Sequence, residues 1–406
     1  MSQGALSKIK VVDITNGVSG PYSTKLLASM GAEVIKIEHP DGGDPTRRLG
    51  PFPDDIPDPE KSGLFLYLNT SKKGVTLNFE SEKGKNILLQ LIKDADILVE
   101  NFKPGTMASL GLDYHSLEIQ NPKLVMTSIS NFGQTGPYRD YNAQDINIDA
   151  LGGLMYITGD PDREPLMEAF GTVQHTAGAN ACAASLAAYY GQKRTGIGQH
   201  VDVSLMEAAA SLLDVHPIGW NRSRLVQKRG GPFNSARNWP GGAADNGVYP
   251  CKDGYVGVVF SYAHEINVAA QLFNNEEFSD PSIGYLNFGK CIEDERLNNL
   301  LIKALKNRDK EEVYRSAQKL RLFWGAVRNI KEVRHNDHYR ERGFWIDVDH
   351  PKAGTLTYAK HPFIMSKTPL VIDRAPLFGE HNEEIYHERL GYSKADILKL
   401  RQMAVI

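Results

Sequence analysis

A run of small residues, Ala177-Gly178-Ala179-Asn180-Ala181-Cys182-Ala183-Ala184, reads as a helix that opens at Gln174 and leads toward Thr195-Gly196-Ile197-Gly198-Gln199. The head of such a helix is a place to look for a carboxylate, which can take up an acyl group as an anhydride or ester. The residue there is an amide, and a glutamine side chain is not a practical nucleophile at neutral pH. The nearest carboxylates along the chain are Glu168, six residues upstream, then Asp160, Asp149 and Asp145. His175 adjoins Gln174 but points about 100° around the helix from it, which suits a polar residue at a helix start. Basic residues gather at Arg47-Arg48 and Lys72-Lys73, short runs of a kind that usually forms solvated surface.

The elements that must position these residues have room in the chain. Its 406 residues can hold one large core and a second, smaller one. A hydrophobic share of 41% and a charged share of 23% are those of an ordinary globular protein. A net charge of -3 gives no electrostatic reason to expect nucleic acid or an anionic membrane as partner. The three cysteines, Cys182, Cys251 and Cys291, are far apart and read as free thiols. No CxxC pair with a nearby histidine suggests zinc, so no metal is expected. The first residues carry no apolar signal segment, and no later run approaches a membrane span; a cytoplasmic protein is expected.

Lys10 to Ile14 reads as a buried strand, Asn16 to Pro21 as a turn, and the following residues as a helix carrying Leu26, Leu27 and Met30, capped by Ser23 or Thr24 and ended by Gly31. Ala32 to Glu38 is the next strand, completing a βαβ unit and predicting a parallel sheet. A helix over Lys85–Lys93 and strands over Ala95–Val99 and Leu124–Ile129 extend the pattern. No GxGxxG follows the first strand, which argues against a dinucleotide site. These readings divide the chain into the N-terminal part of a large domain (1–213), a basic, poorly periodic linker (214–240), a small α+β domain (241–342) and a tail (343–406). Within the small domain Gly247-Val248-Tyr249 and Tyr255 to Phe260 read as paired strands, followed by helices through Leu322. The tail opens with a strand over Phe344–Val348 and ends in a helix over Lys394–Met403.

Several segments together resemble the family III CoA-transferases (the CaiB/BaiF family, with formyl-CoA transferase, carnitine CoA-transferase and methylacyl-CoA racemase). They are Ser19-Gly20-Pro21-Tyr22, Leu27 to Glu38, Pro40 to Arg47, Asn69 to Leu77, Val99 to Gly105, Ser128 to Tyr138 and, in the tail, Ala375 to Asn382 with Leu390-Gly391-Tyr392-Ser393. Each piece is weak alone. Their order and spacing over nearly the whole chain are specific. The resemblance implies an α/β fold with a Rossmann-like large domain on a parallel sheet, a small domain inserted into it, and two protomers threaded through one another like linked rings. It implies CoA or acyl-CoA as substrate, held by Arg47, Lys72, Lys73 and Lys103 around the nucleotide, by Asn101, Phe102 and Met107 beside the adenine or pantetheine arm, and by Ser19, Gly20 and Pro21 at the thioester end. Cations and oriented backbone N–H groups are what the CoA phosphates require.

In transferases of that family an aspartate lies four residues before the glycine that is here Gly178 and twenty-one before the threonine that is here Thr195; both counts land on Gln174. That aspartate takes the acyl group as a mixed anhydride and then becomes a CoA thioester. The racemase branch uses a histidine as well, and its place is held by Gln144. Neither amide does acid–base work near pH 7. The family's glycine-rich loop is reduced to Gly241-Gly242-Ala243-Ala244, and a Trp stands in Phe323-Trp324-Gly325-Ala326-Val327, either as an altered active-site element or as a core aromatic. Arg222 and Arg237 are candidates to hold an acid substrate, with surface or linker roles as the alternative.

The expectation is the non-catalytic chain of a heteromeric transferase, paired with a homologous chain that keeps the aspartate, as the resemblance to the two-chain benzylsuccinate enzymes implies. The rivals are an active homodimer using a displaced carboxylate, Glu168 foremost, and an acyl-CoA-binding protein without enzymatic activity.

Overall fold

In the computed structural model, residues 4–169, 171–214, 216–224, 226, 229, 246–260, 264–280, 283 and 295–406 are described. The N-terminal half alternates strands and helices. β1 (Lys10–Asp13) leads to α1 (Ser19–Ser29) and β2 (Glu33–Glu38). β3 (Lys73–Thr76), α2 (Glu82–Lys93), β4 (Ile97–Glu100), α3 (Tyr114–Glu118) and β5 (Val125–Ser130) follow. Next come α4 (Asp145–Leu151), the long α5 (Thr172–Thr195) and β6 (Gln199–Ser204). The six strands form one parallel sheet in the order β3-β2-β1-β4-β5-β6. β4 and β5 are buried at every position, as parallel strands covered on both faces must be.

The helices form where the sequence gives them one apolar face. In α2, Ser81 caps the N-terminus by accepting the Gly84 N–H, and Ile87, Leu88, Leu91 and Ile92 turn one stripe into the core. Each such fully buried aliphatic side chain contributes ~1.5–3 kcal/mol. α1 begins earlier than its hydroxyl residues suggest. Its N-cap is Val18, without a side-chain cap, while Ser23 bonds the Gly20 carbonyl and Thr24 bonds Asp13 from inside the helix. The small-residue run of α5 is a packing face against α1: a Cβ at Gly178 would come within 2.5 Å of the Ser19 carbonyl oxygen.

The chain divides into two compact units. The first comprises Met1–Ile148, Ala169–Ala209 and Asp337–Ile406; the second comprises Asp149–Glu168 and Ala210–Asn336. The second opens its longer segment with α6 (His216–Ser223), a helix where a linker was expected. Pro217 fits a first helical turn, and the exposed Ile218 and Trp220 leave no buried apolar stripe that periodicity would reveal. β7 (Asn246–Cys251) and β8 (Gly254–Val259) pair antiparallel as expected. α7 (His264–Phe273), α8 (Glu295–Leu305), α9 (Lys310–Lys319) and the short β9 (Gly325–Ala326) also belong to this unit. Trp324 is 2% exposed and packs on Phe260 and Phe273, so it is a core aromatic of this unit.

The tail returns to the first unit through the β10 (Trp345–His350) and β11 (Gly354–Ala359) hairpin and α10 (Lys394–Gln402). Ile397 and Leu400 of α10 join the same core cluster as Val12, Leu88 and Leu98. Among the described residues no helix is long and apolar enough to cross a membrane.

Candidate active site

The strand order reverses beside β1: β2 and β3 lie on one side of it and β4, β5 and β6 on the other. In open parallel sheets, ligands bind beyond the carboxyl ends of the strands at such a point. A cleft of about 220 Å³ lies there. Ser19 reaches it after β1, Asn101 to Pro104 after β4, Ile129 to Asn131 at the end of β5, and Leu205 after β6. Arg139, Tyr141, Asn142 and Gln174 complete the wall.

Local bonds shape that wall. Asn101 and Asn16 exchange two hydrogen bonds, Asn16 N to Asn101 Oδ1 at 2.8 Å and Asn101 Nδ2 to the Asn16 carbonyl at 2.6 Å. The Phe102 N–H donates to the Glu100 carboxylate at 2.7 Å. Gly105, at φ 91°, makes the left-handed turn into the short helix after the wall.

Gln174 is the third residue of α5, and its Nε2 donates to Asp145 Oδ1 at 2.8 Å. An ionised carboxylate only accepts, so the NH₂ group faces Asp145 and the amide carbonyl faces away. His175 turns elsewhere, bonding the Gly171 carbonyl through Nδ1 and setting its ring against Tyr22 at 4.7 Å. Gln144 is exposed, and its backbone N–H is held by Asn147 at the start of α4. Glu168 belongs to the second unit, where its carboxylate accepts from Thr158 at 3.2 Å and its N–H donates to Asp149. Arg222 is exposed on α6. Arg237 and Gly241 to Ala244 lie outside the described residues.

Of the residues assigned to CoA by resemblance, Ser19, Asn101, Phe102 and Lys103 line the cleft together with Gln174. The others do not. Gly20 and Pro21 lie in the first turn of α1, and Met107 is buried in the core. Arg47 is 1% exposed, with a two-pronged bond to Glu38 at 2.7 and 2.8 Å, another to Glu60 at 3.0 Å, and its guanidinium over the Phe65 ring. Burial works against its charge, and the bonds and charges of Glu38 and Glu60 together more than offset that. Lys72 is buried between Asp13 (3.0 Å), the Pro21 carbonyl (2.9 Å) and Asn69 (2.8 Å). Burial pushes this ammonium down to about 8, against the pull of Asp13. Lys73 pairs with Glu33 and Glu384 at the surface. These three cations neutralise carboxylates of the fold itself and are not presented to the cleft.

Arg139 takes their place at the wall, and the sequence reading did not single it out. Its signal was present: it directly follows the segment Ser128 to Tyr138 that resembles the family. Its closest carboxylate among the described residues, Asp140, is 4.0 Å away, the outer limit of an ion pair. Lys103 is exposed and has no ion-pair partner among the described residues. The Ser130 hydroxyl is buried with no hydrogen-bond partner among the described residues. Among the described residues, the cleft therefore offers two cations, four amide side chains and hydroxyls, but no carboxylate, thiol or imidazole in its lining. It can hold an anionic ligand rich in polar groups; its serines have no base beside them in the lining to make them nucleophiles.

A doubly wound α/β fold with a cationic, amide-lined cleft at the strand reversal defines a class of proteins that bind polyanionic cofactors or substrates. The chain belongs to CoA-transferase family III, whose family model matches residues 6–382. Among its relatives, the BbsE subunit of succinyl-CoA:(R)-benzylsuccinate CoA-transferase from Thauera aromatica is 30% identical over 98% of each chain. Formyl-CoA:oxalate CoA-transferase from Streptomyces coelicolor is 31% identical over the full length of both. The crystal structure of a CaiB/BaiF family protein from Brucella suis superposes with a TM-score of 0.84, at 28% identity, over 96% of this chain and 100% of that one. Enzymes of the family use CoA thioesters as substrates, so a CoA thioester is the substrate class of this scaffold.

Proposed function

We propose that this chain is the non-catalytic subunit of a cytoplasmic heteromeric CoA-transferase that moves CoA from succinyl-CoA to an aryl-substituted succinate such as benzylsuccinate. Its partner is a homologous chain that keeps the acyl-accepting aspartate, and the two interlock, each as a large domain with a small domain inserted. The CoA phosphates meet Lys103 and Arg139, and the pantetheine arm runs along Ser19, Asn101 and Phe102. One observation carries the reading: the residue at the acyl-accepting position is Gln174, an amide committed to Asp145. The likeness to a subunit of the benzylsuccinate enzyme supports both the donor and the two-chain assembly. The test is transfer from succinyl-CoA to benzylsuccinate by the purified chain, alone and mixed with its homologous partner. Activity is expected only in the mixture, and an ordinary enzymatic rate from the single chain would overturn the proposal.

A second reading, an active homodimer with a displaced carboxylate, draws on the same contact. The carboxylate touching residue 174 is that of Asp145, not Glu168. Hydroxylamine trapping and intact mass separate the two readings: an acyl or CoA adduct on this chain favours the second, and an adduct on the partner alone favours the first.

A further inference from the structure

β4 ends at Glu100, and the four residues that follow it form one wall of the cleft. Glu100 itself is 3% exposed, turned into the sheet beneath that wall. Its Oε2 accepts the Phe102 N–H at 2.7 Å. On its other side stands Ser128, its register partner on β5, whose hydroxyl favours the charged form of the Glu100 carboxylate. The Ser128 Oγ also meets His200 Nε2 on β6 at 2.8 Å, and the His200 ring stacks on Tyr114 of α3 at 5.8 Å. Asp202, two residues beyond His200, faces Glu100 as a like charge while accepting the Gln134 N–H at 2.9 Å. The groups around the carboxylate are therefore Asp202, Ser128 and, across that serine, His200 and Tyr114. None supplies a positive charge near neutrality, because burial lowers the His200 imidazole despite Asp202.

We propose that Glu100 is a positioning residue for the CoA-binding wall: by holding the Phe102 N–H, its carboxylate sets Asn101 to Pro104 against the ligand, so that affinity follows its ionisation. The inference rests on the cleft being the CoA site. Asn101 is already tied to Asn16, so the Glu100 bond is the second point that fixes the segment. Burial, with Asp202 adding to it, raises the Glu100 carboxyl to about 7. Above that pH the carboxylate accepts the Phe102 N–H with the added strength of a charged acceptor. Below it, the protonated acid is a weaker acceptor for that N–H, which loosens the wall.

The experiment compares wild type with Glu100→Gln. Glutamine keeps the shape and accepts the Phe102 N–H through its carbonyl but does not ionise. CoA affinity is measured by titration calorimetry from pH 5.5 to 8.5. Wild type is expected to bind about fivefold more tightly above pH 7 than below it, the difference between a charged and a neutral acceptor. The variant should lack that step. The CoA 3′-phosphate titrates at ~6 in both proteins, so the difference between the two profiles isolates Glu100. Parallel profiles would overturn the proposal. If wild type binds no CoA at any pH, the CoA reading fails, and hydrogen exchange over residues 101–107 of the free protein decides the positioning role. Protection that rises through pH 7 only in wild type, after correction for intrinsic rates, supports it; equal protection in both proteins refutes it.

Discussion

The side-chain amide of Gln174, at the position proposed above for the acyl acceptor, donates at 2.8 Å to the carboxylate of Asp145, twenty-nine residues upstream. Restoring aspartate at 174 alone would set two carboxylates in contact, and like charges that close do not both ionise. We expect Gln174→Asp to recover little transfer from succinyl-CoA and to unfold at a lower temperature than wild type. The double variant Gln174→Asp with Asp145→Asn, which again pairs acid with amide, should exceed the single one at least about tenfold, more than 1.4 kcal/mol in the transition state. Equal rates for the two variants, measured with the purified chain, would show that the Asp145 contact does not govern this position.

Among the described residues, Lys103 and Arg139 are the cations that line the cleft. A charge-assisted bond to phosphate is worth about 1.5–3 kcal/mol, so alanine at either position should weaken CoA binding roughly tenfold or more. Pantetheine lacks the nucleotide phosphates, and its binding should change less than about twofold. Equal losses for both ligands in calorimetry would place the phosphates elsewhere.

The parallel sheet was legible because its strands are short apolar runs, Val34-Ile35-Lys36-Ile37 and Ile97-Leu98-Val99 among them, separated by helices with one apolar face. The cleft was partly legible, since Asn101, Phe102 and Lys103 follow a strand end directly. What local pattern does not carry is the partner across the sheet. Lys72 looks like a phosphate ligand until Asp13 of β1 is brought to it, and Arg47 until the turn after β2 folds it back on Glu38. Asp145 likewise reaches Gln174 only through the packing of one helix start on another. The α6 helix escaped notice because its apolar residues stay exposed, so no buried stripe repeats along it.

Arg47 tests whether a buried pair has been read correctly. Replacing it with methionine leaves Glu38, 1% exposed, without its cation. Removing one partner of a buried pair costs ~3–5 kcal/mol. Urea unfolding of Arg47→Met should show a loss of that order, while the folded fraction binds CoA with unchanged affinity. A loss below about 1 kcal/mol together with weakened CoA binding would return Arg47 to the ligand.

A pH dependence of stability is expected at the far end of α1, where the Ser29 hydroxyl and His361 Nε2 are hydrogen-bonded. Burial, followed by the nearby Lys25 charge, lowers the His361 imidazole to about 4. The unfolded chain titrates this group near its ordinary value of about 6.5. Between those two values the unfolded state binds more protons than the folded one, so stability rises with pH across the window. This contribution is whole above about pH 6.5 and is lost progressively as the pH falls toward 4. His361→Gln keeps a side chain that can hydrogen-bond Ser29 but does not titrate. Its melting temperature should therefore fall less steeply than that of wild type between pH 6.5 and pH 4.5. Equal slopes in thermal scans of the two proteins would show that His361 takes no part in the acid sensitivity of the fold.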